Sequence, residues 1–204
     1  VDSSIGGKVA IDFSGYKNLV GAFYPPKAVI IDPETLKTLP ERQISNGLAE
    51  AVKMALTSNA KLFDIFENEN IMENIDRIIE ESLKIKRFVV ENDEKETGLR
   101  KILNFGHTLG HAIEVQNDGL YHGECVALGM LPMCSNEIRK RLIKVLEKLN
   151  LPTEISFDSD KIIEAMKHDK KISGDSITVI TVDEIGSYKM EDIKFLELAS
   201  KLKE

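Results

Sequence analysis

The chain has 204 residues, is 42% hydrophobic and 30% charged, and carries a formal net charge of -7. This is the composition of a soluble globular protein with room for one large domain, and the negative balance argues against nonspecific nucleic-acid binding. No apolar run approaches the ~18 residues that cross a bilayer. No secretory leader is visible, and Cys125 and Cys134, in one apolar run, make no disulfide framework, so a cytoplasmic, reducing setting is expected.

The first 31 residues read as strand and loop. Lys8–Asp12 and Leu19–Phe23 are short apolar strands separated by the turn-rich Ser14–Asn18. After Pro25-Pro26, the uniformly apolar Ala28–Ile31 suits a buried strand of a parallel sheet. The segment is therefore expected to be the edge of a larger sheet. A short helical turn follows at Pro33–Leu36. The patterning then predicts helices over 40–59, 61–68, 71–93, 98–116, 122–149 and 158–169. Residues 176–182 alternate like a strand, with Gly186–Lys189 opening a partner in a hairpin, and 191–203 reads as a last amphipathic helix. The expected class is α+β and mostly α-helical.

The stretch from Leu99 to Met130 holds three of the four histidines: His107, His111 and His122. His107 and His111, four apart, project from one face of the predicted helix. Such a pair is more often found on a surface or in a core than on a metal. Gly106, Gly110 and Gly123 sharpen the signal, because glycine costs about 1 kcal/mol inside a helix, so three beside histidines imply a close backbone approach. Glu50 sits in the apolar helix GLAEAVKMA, three residues before Lys53. The ordinary reading is a solvated ion pair, but a carboxylate in an apolar helix needs a metal or a cation if it is buried. One glutamate and two histidines form a catalytic zinc set with an open position. Arg100, Asn104, His107 and His111 recur every three or four residues, a polar stripe suited to a phosphate or carboxylate. Lys8, Lys17, Lys86 and Asp169-Lys170-Lys171 are scattered bases, each by itself an ordinary surface lysine. His168, beside that triplet, reads as structural or exposed.

Six stretches together closely resemble the 3-dehydroquinate synthase family: VDSSIGGK (1–8), KNLVGAF (17–23), GLAEAVK (47–53), DEKETGLRKILNFGHTLGHAIE (93–114), HGECVALGM (122–130) and DKK (169–171). The pairing of GHTxGHAIE with HGE is the specific part. The resemblance implies an N-terminal α/β domain that binds NAD and a C-terminal helical domain that binds the metal. On that pattern residues 1–32 are the last strands of the first domain, 33–204 are the second, and the glycine-rich dinucleotide motif is not in the sequence. It implies conversion of 3-deoxy-D-arabino-heptulosonate 7-phosphate to 3-dehydroquinate and phosphate in the shikimate pathway, by transient oxidation with NAD and elimination of phosphate. Glu50, His107 and His122 align with the metal ligands, for zinc or cobalt. Asp2, Lys8, Asn18, Lys53, Lys86, Arg100, Asn104 and His111 match substrate and phosphate positions, with Lys170, or alternatively Lys171, as the late basic contact and His111, Lys53, Lys86 and Lys8 as the catalytic set. Lys17, Asn18 and Lys8 face the nucleotide, and a homodimer is implied. Tyr121 stands where the family commonly has Leu.

Three other readings make different predictions. A related sugar-phosphate cyclase such as 2-deoxy-scyllo-inosose synthase keeps the metal triad and changes the substrate contacts. A metal-dependent alcohol or polyol dehydrogenase lacks the phosphate-binding lysines. An inert helical assembly domain binds no zinc.

Overall fold

The computed structural model describes residues 1, 3–14, 16–154, 176–194 and 197–198, without the side chains of 12 and 16–18. Strands β1 (Lys8–Phe13) and β2 (Tyr16–Phe23) form an antiparallel hairpin whose register runs from Lys8 opposite Phe23 to Phe13 opposite Tyr16. Asp32 caps a 3-10 turn at Pro33–Thr38 by accepting from the Glu34 amide, and proline in the first turn suits that start. Among the described residues the α-helices that follow are α1 (Glu41–Ser58), α2 (Ala60–Asn68), α3 (Ile75–Asn92), α4 (His107–Gln116), α5 (His122–Met130) and α6 (Asn136–Lys148). A 3-10 segment, Leu99–Asn104, precedes α4. Strands β3 (Ser176–Thr181) and β4 (Lys189–Lys194) close a second antiparallel hairpin. The chain is thus mostly helical with two small sheets, as expected. Among the described residues no helix is long and apolar enough to cross a membrane.

The core lies where α1, α4 and α5 meet. The apolar residues of α1 (Leu48, Ala51, Val52, Ala55, Leu56) pack with Leu109 and Ile113 of α4 and Val126 and Met130 of α5. Phe63 and Phe66 of α2 and Leu142 and Leu146 of α6 complete it. Each such side chain contributes about 1.5–3 kcal/mol by burial. Asn59 divides α1 from α2: it ends the first and its side chain accepts from the Leu62 amide at 3.1 Å. The close approaches implied by the glycines are helix on helix. A Cβ on Gly123 would stand 2.0 Å from the Asn46 carbonyl oxygen of α1, and one on Gly110 3.0 Å from that of Cys125. A Cβ on Gly129 would stand 2.0 Å from the Gly106 carbonyl oxygen. Gly106 also holds φ 73°, a left-handed conformation that glycine adopts without steric cost.

Four sequence expectations fail locally. Residues 98–116 are not one helix, because the left-handed Gly106 separates the 3-10 turn from α4. Residues 122–149 are not one helix either: Pro132 stands in a short 3-10 turn, and Ser135 restarts the chain by capping α6 through the Ile138 amide. Ala28–Ile31 is not a buried strand. It carries no regular structure and Ile30 is 95% exposed, since no neighbouring strand among the described residues pairs with it. Residues 191–194 belong to β4 rather than to a helix, because pairing with Ser176–Val179 satisfies their backbone groups. The predicted helix 158–169 lies outside the described residues.

Candidate metal and anion site

Glu50 projects from the third turn of α1, His107 and His111 from the first two turns of α4, and His122 from the first residue of α5. Gly123 brings the start of α5 against α1, while Gly110 and Gly129 bring the start of α4 against α5. Glu50 Oε1 lies 3.2 Å from His107 Nε2 and 3.4 Å from His122 Nε2. Donors about 2.0–2.1 Å from one tetrahedral zinc ion lie about 3.3 Å from one another, so the three groups have the spacing of a shared ion. The imidazoles of His107, His111 and His122 each also offer a nitrogen, all within 4.8 Å of one another. His111 therefore borders the same space, with its ring centroid 5.4 Å from that of His107 and 5.8 Å from that of His122.

The outer nitrogens are held in turn. His107 Nδ1 lies 3.1 Å from the Phe105 carbonyl oxygen, and His122 Nδ1 lies 3.3 Å from Glu114 Oε2. Contacts of this kind orient a ligating imidazole and set its tautomer. Burial opposes ionisation of Glu50, yet the Lys53 ammonium and then His107 hold its carboxyl well below the usual range. Lys53 Nζ is 2.5 Å from Glu50 Oε2 and donates to the Leu103 carbonyl oxygen at 2.8 Å, so this buried lysine balances a partly buried carboxylate. Burial, followed by the charge of Lys53, pushes His107 down and favours the neutral imidazole that binds a metal. The hydrogen bond to Glu50 raises His122.

Glu50 and the three histidines line a cavity of about 490 Å³ that Lys8, Lys86, Arg100 and Asn104 also line. Arg100 is buried, with Nη1 donating to the Glu94 carbonyl oxygen at 2.7 Å and Nη2 to that of Gly6 at 3.0 Å. The polar stripe Arg100–Asn104–His107–His111 thus faces one cavity although a 3-10 turn and an α-helix share it. Glu96, a lining residue that the sequence reading missed, accepts from Asn104 Nδ2 at 2.6 Å and pairs with Lys8. It is also a non-glycine residue at φ 60°. Asp93 holds the loop around it by accepting from the amides of Thr97, Gly98 and Arg100. Asn46 and Glu114 were missed as well. Glu114 stands three residues after His111, a spacing that could have suggested a partner for an imidazole; Asn46 gives no such signal.

Of the residues expected at the site, Lys8, Glu50, Lys53, Lys86, Arg100, Asn104, His107, His111 and His122 line this one cavity. Asp2 and Lys170, with His168, lie outside the described residues, as do the side chains of Lys17 and Asn18. Both cysteines are buried and neither is in a disulfide, and burial pushes the Cys134 thiol up to about 12.

Comparison with known proteins follows the same lines. Residues 47–172 match the family model for the 3-dehydroquinate synthase C-terminal part, and residues 1–46 match that for the N-terminal part. The 3-dehydroquinate synthases of Acetivibrio thermocellus and Clostridium perfringens (strain 13 / Type A) are each 46% identical to the chain, over 88% and 91% of it. These alignments take in 54% and 58% of the two relatives, so the chain spans a little over half the length of the curated relatives it matches. The 2-epi-5-epi-valiolone synthase of Streptomyces hygroscopicus subsp. jinggangensis 5008, solved with NAD+ and Zn2+ bound, superposes with a TM-score of 0.87. That match covers 100% of this chain and 62% of the other, and its 24% identity speaks for the fold alone. A 2-deoxy-scyllo-inosose synthase complexed with carbaglucose-6-phosphate, NAD+ and Co2+ gives a TM-score of 0.81 at 25% identity, over 99% of this chain and 62% of that one. With a family model covering more than half of its residues, the chain belongs to the 3-dehydroquinate synthase family.

Proposed function

We infer that this chain supplies the metal- and phosphate-binding half of a 3-dehydroquinate synthase, a lyase that converts 3-deoxy-D-arabino-heptulosonate 7-phosphate to 3-dehydroquinate and phosphate in the shikimate pathway. The observation that carries the inference is one carboxylate oxygen 3.2 and 3.4 Å from two imidazole nitrogens, in a cavity also lined by Lys8, Lys86 and Arg100. Glu50, His107 and His122 would hold zinc, or cobalt in its place. When bound, the metal supplies Lewis-acid polarisation at the hydroxyl to be oxidised, and NAD supplies a reversible hydride acceptor.

The chain's own groups do the rest. Lys8, Lys86, Arg100 and Asn104 bind the substrate's anionic groups and stabilise charge as phosphate departs. Asp2, Asn18 and Lys170 join them on the resemblance, and Lys17, Asn18 and Lys8 face the nucleotide. Lys53 keeps Glu50 ionised, and His111 assists proton transfer beside the leaving phosphate. Residues 1–32 go with the nucleotide-binding domain and 33–204 form the metal- and substrate-binding domain. The protein acts as a cytoplasmic homodimer.

Zinc analysis tests the triad: Glu50→Ala and His107→Ala are each expected to empty the site, because each removes one of three protein ligands. Full zinc occupancy in folded variants would overturn it. Calorimetric titration of the zinc-loaded chain tests the substrate. The heptulosonate phosphate is expected to bind at least tenfold more tightly than glucose 6-phosphate, and only with zinc present. The opposite preference would favour the inosose-synthase reading.

A further inference from the structure

We propose that Arg42, acting through Glu124, is a positioning residue that fixes His122 against Glu50 and so sets the affinity of the metal site. The proposal rests on the metal reading given above. Arg42, Asn46 and Glu50 are spaced by four on α1 and share one face of it. The Arg42 guanidinium grips Glu124 at both ends, Nε to Oε1 and Nη2 to Oε2, each at 2.7 Å. The same Nη2 donates to the Gly119 carbonyl oxygen at 2.7 Å, and the guanidinium carbon sits 4.2 Å from the Tyr121 ring centroid. Glu124 in turn accepts from the Tyr121 amide at 2.8 Å, while Asn46 Oδ1 accepts from the Gly123 amide at 2.6 Å.

These contacts seize the chain on both sides of His122. The amide before it is tied to α1 through Glu124 and Arg42, and the amide after it is tied to α1 directly. Glu50, two turns along from Arg42, meets the His122 imidazole at 3.4 Å. The helix that supplies the carboxylate therefore also places the backbone of the histidine, across 72 residues of sequence. The guanidinium suits this task, because its rigid fork fixes a direction as well as a distance. Tyr121 adds a ring face for that fork, which a leucine there would not.

A second bridge of the same kind provides the control. Arg141 holds Glu67 through two nitrogens, at 2.8 and 2.5 Å, between α6 and α2, and neither residue lines the metal cavity. The test measures zinc dissociation constants by chelator competition, and the visible spectrum of the cobalt-loaded protein, for Arg42→Ala, Arg42→Lys and Arg141→Ala. Losing a group that orients a metal ligand typically weakens binding 10–100-fold. Arg42→Ala is expected to show that loss together with an altered cobalt spectrum. Arg42→Lys should fall between it and the parent, and Arg141→Ala should stay within twofold of the parent. Zinc affinity within twofold for both Arg42 variants would overturn the proposal. So would failure of both to fold while Arg141→Ala folds, which would make Arg42 a folding residue only. His107→Ala runs alongside: if it keeps zinc, the metal reading itself fails, whereas zinc lost there and kept in the Arg42 variants refutes the clamp alone.

Discussion

The two sides of the cavity are built differently. The imidazole side rests on α1, α4 and α5, whose backbones approach so closely that Gly123 and Gly129 have no room for a methyl group. Lys8, by contrast, stands on β1, which pairs with β2 in a two-stranded hairpin whose Val9, Ile11, Phe13, Leu19, Val20 and Phe23 are all more than half exposed. Among the described residues the hairpin is tied to the helical body by the bond from Arg100 to the Gly6 carbonyl and by the pair between Lys8 and Glu96. Metal ligands need directions held within tenths of an ångström, which a close-packed core provides. A phosphate-facing lysine needs only to bring its charge within reach, which a long, flexible side chain does.

The largest expected effect strikes the rigid side. Gly129→Ala puts a methyl group 2.0 Å from the Gly106 carbonyl oxygen. Such overpacking costs about 1–3 kcal/mol or more, and because α4 would move with His107 and His111, zinc affinity should fall together with the melting temperature. A drop in melting temperature with unchanged zinc binding would break the contrast. A smaller and different effect is expected from Lys8→Ala. The Lys8 side chain is about half exposed and its pair with Glu96 is worth little to stability, so thermal unfolding should barely change. Anion affinity should weaken about 10–100-fold, the worth of one charge-assisted hydrogen bond. Competition with inorganic phosphate would measure it.

The smallest effect concerns the loop between the two sides. Amides of Arg100, Gly98 and Thr97, in that order of effect, lower the Asp93 carboxyl from 3.8 to about 2. A carboxyl lowered in the folded state contributes stability that is fully present above its unfolded value and is lost as pH falls through its folded one. The Asp93 contribution should therefore be present above pH 3.8 and fade toward pH 2. The melting-temperature gap between the parent and Asp93→Asn should close over that interval. A gap that persists at pH 2 would show that the loop is held by something other than this carboxylate.

Much of the site was legible in the order of residues. His107 and His111 on one helix follow from a spacing of four, and the apolar helix around Glu50 set a carboxylate in need of cations against the ordinary reading of a solvated ion pair. The three glycines announced close approaches. Local pattern did not reveal what approached them, because Asn46 and Gly123 are 77 residues apart. The breaks at Gly106 and Pro132 were misread for a related reason. Hydrophobic period continues across both, and only the backbone conformation interrupts it. Ala28–Ile31 reads as a strand by composition, but a strand exists only where a neighbour completes its hydrogen bonds.

The sequence alone determined the helical class, the C-terminal hairpin, the kinds of donor at the site and the family. Those depend on side-chain chemistry and short-range spacing, which the order of residues carries directly. Tertiary structure alone decided that Glu50 stands between two imidazoles, that Glu96 pairs with Lys8 and Asn104, and that Arg42 reaches Glu124. Each of these joins groups on elements distant in sequence, and their separation is set by how closely the helices can pack.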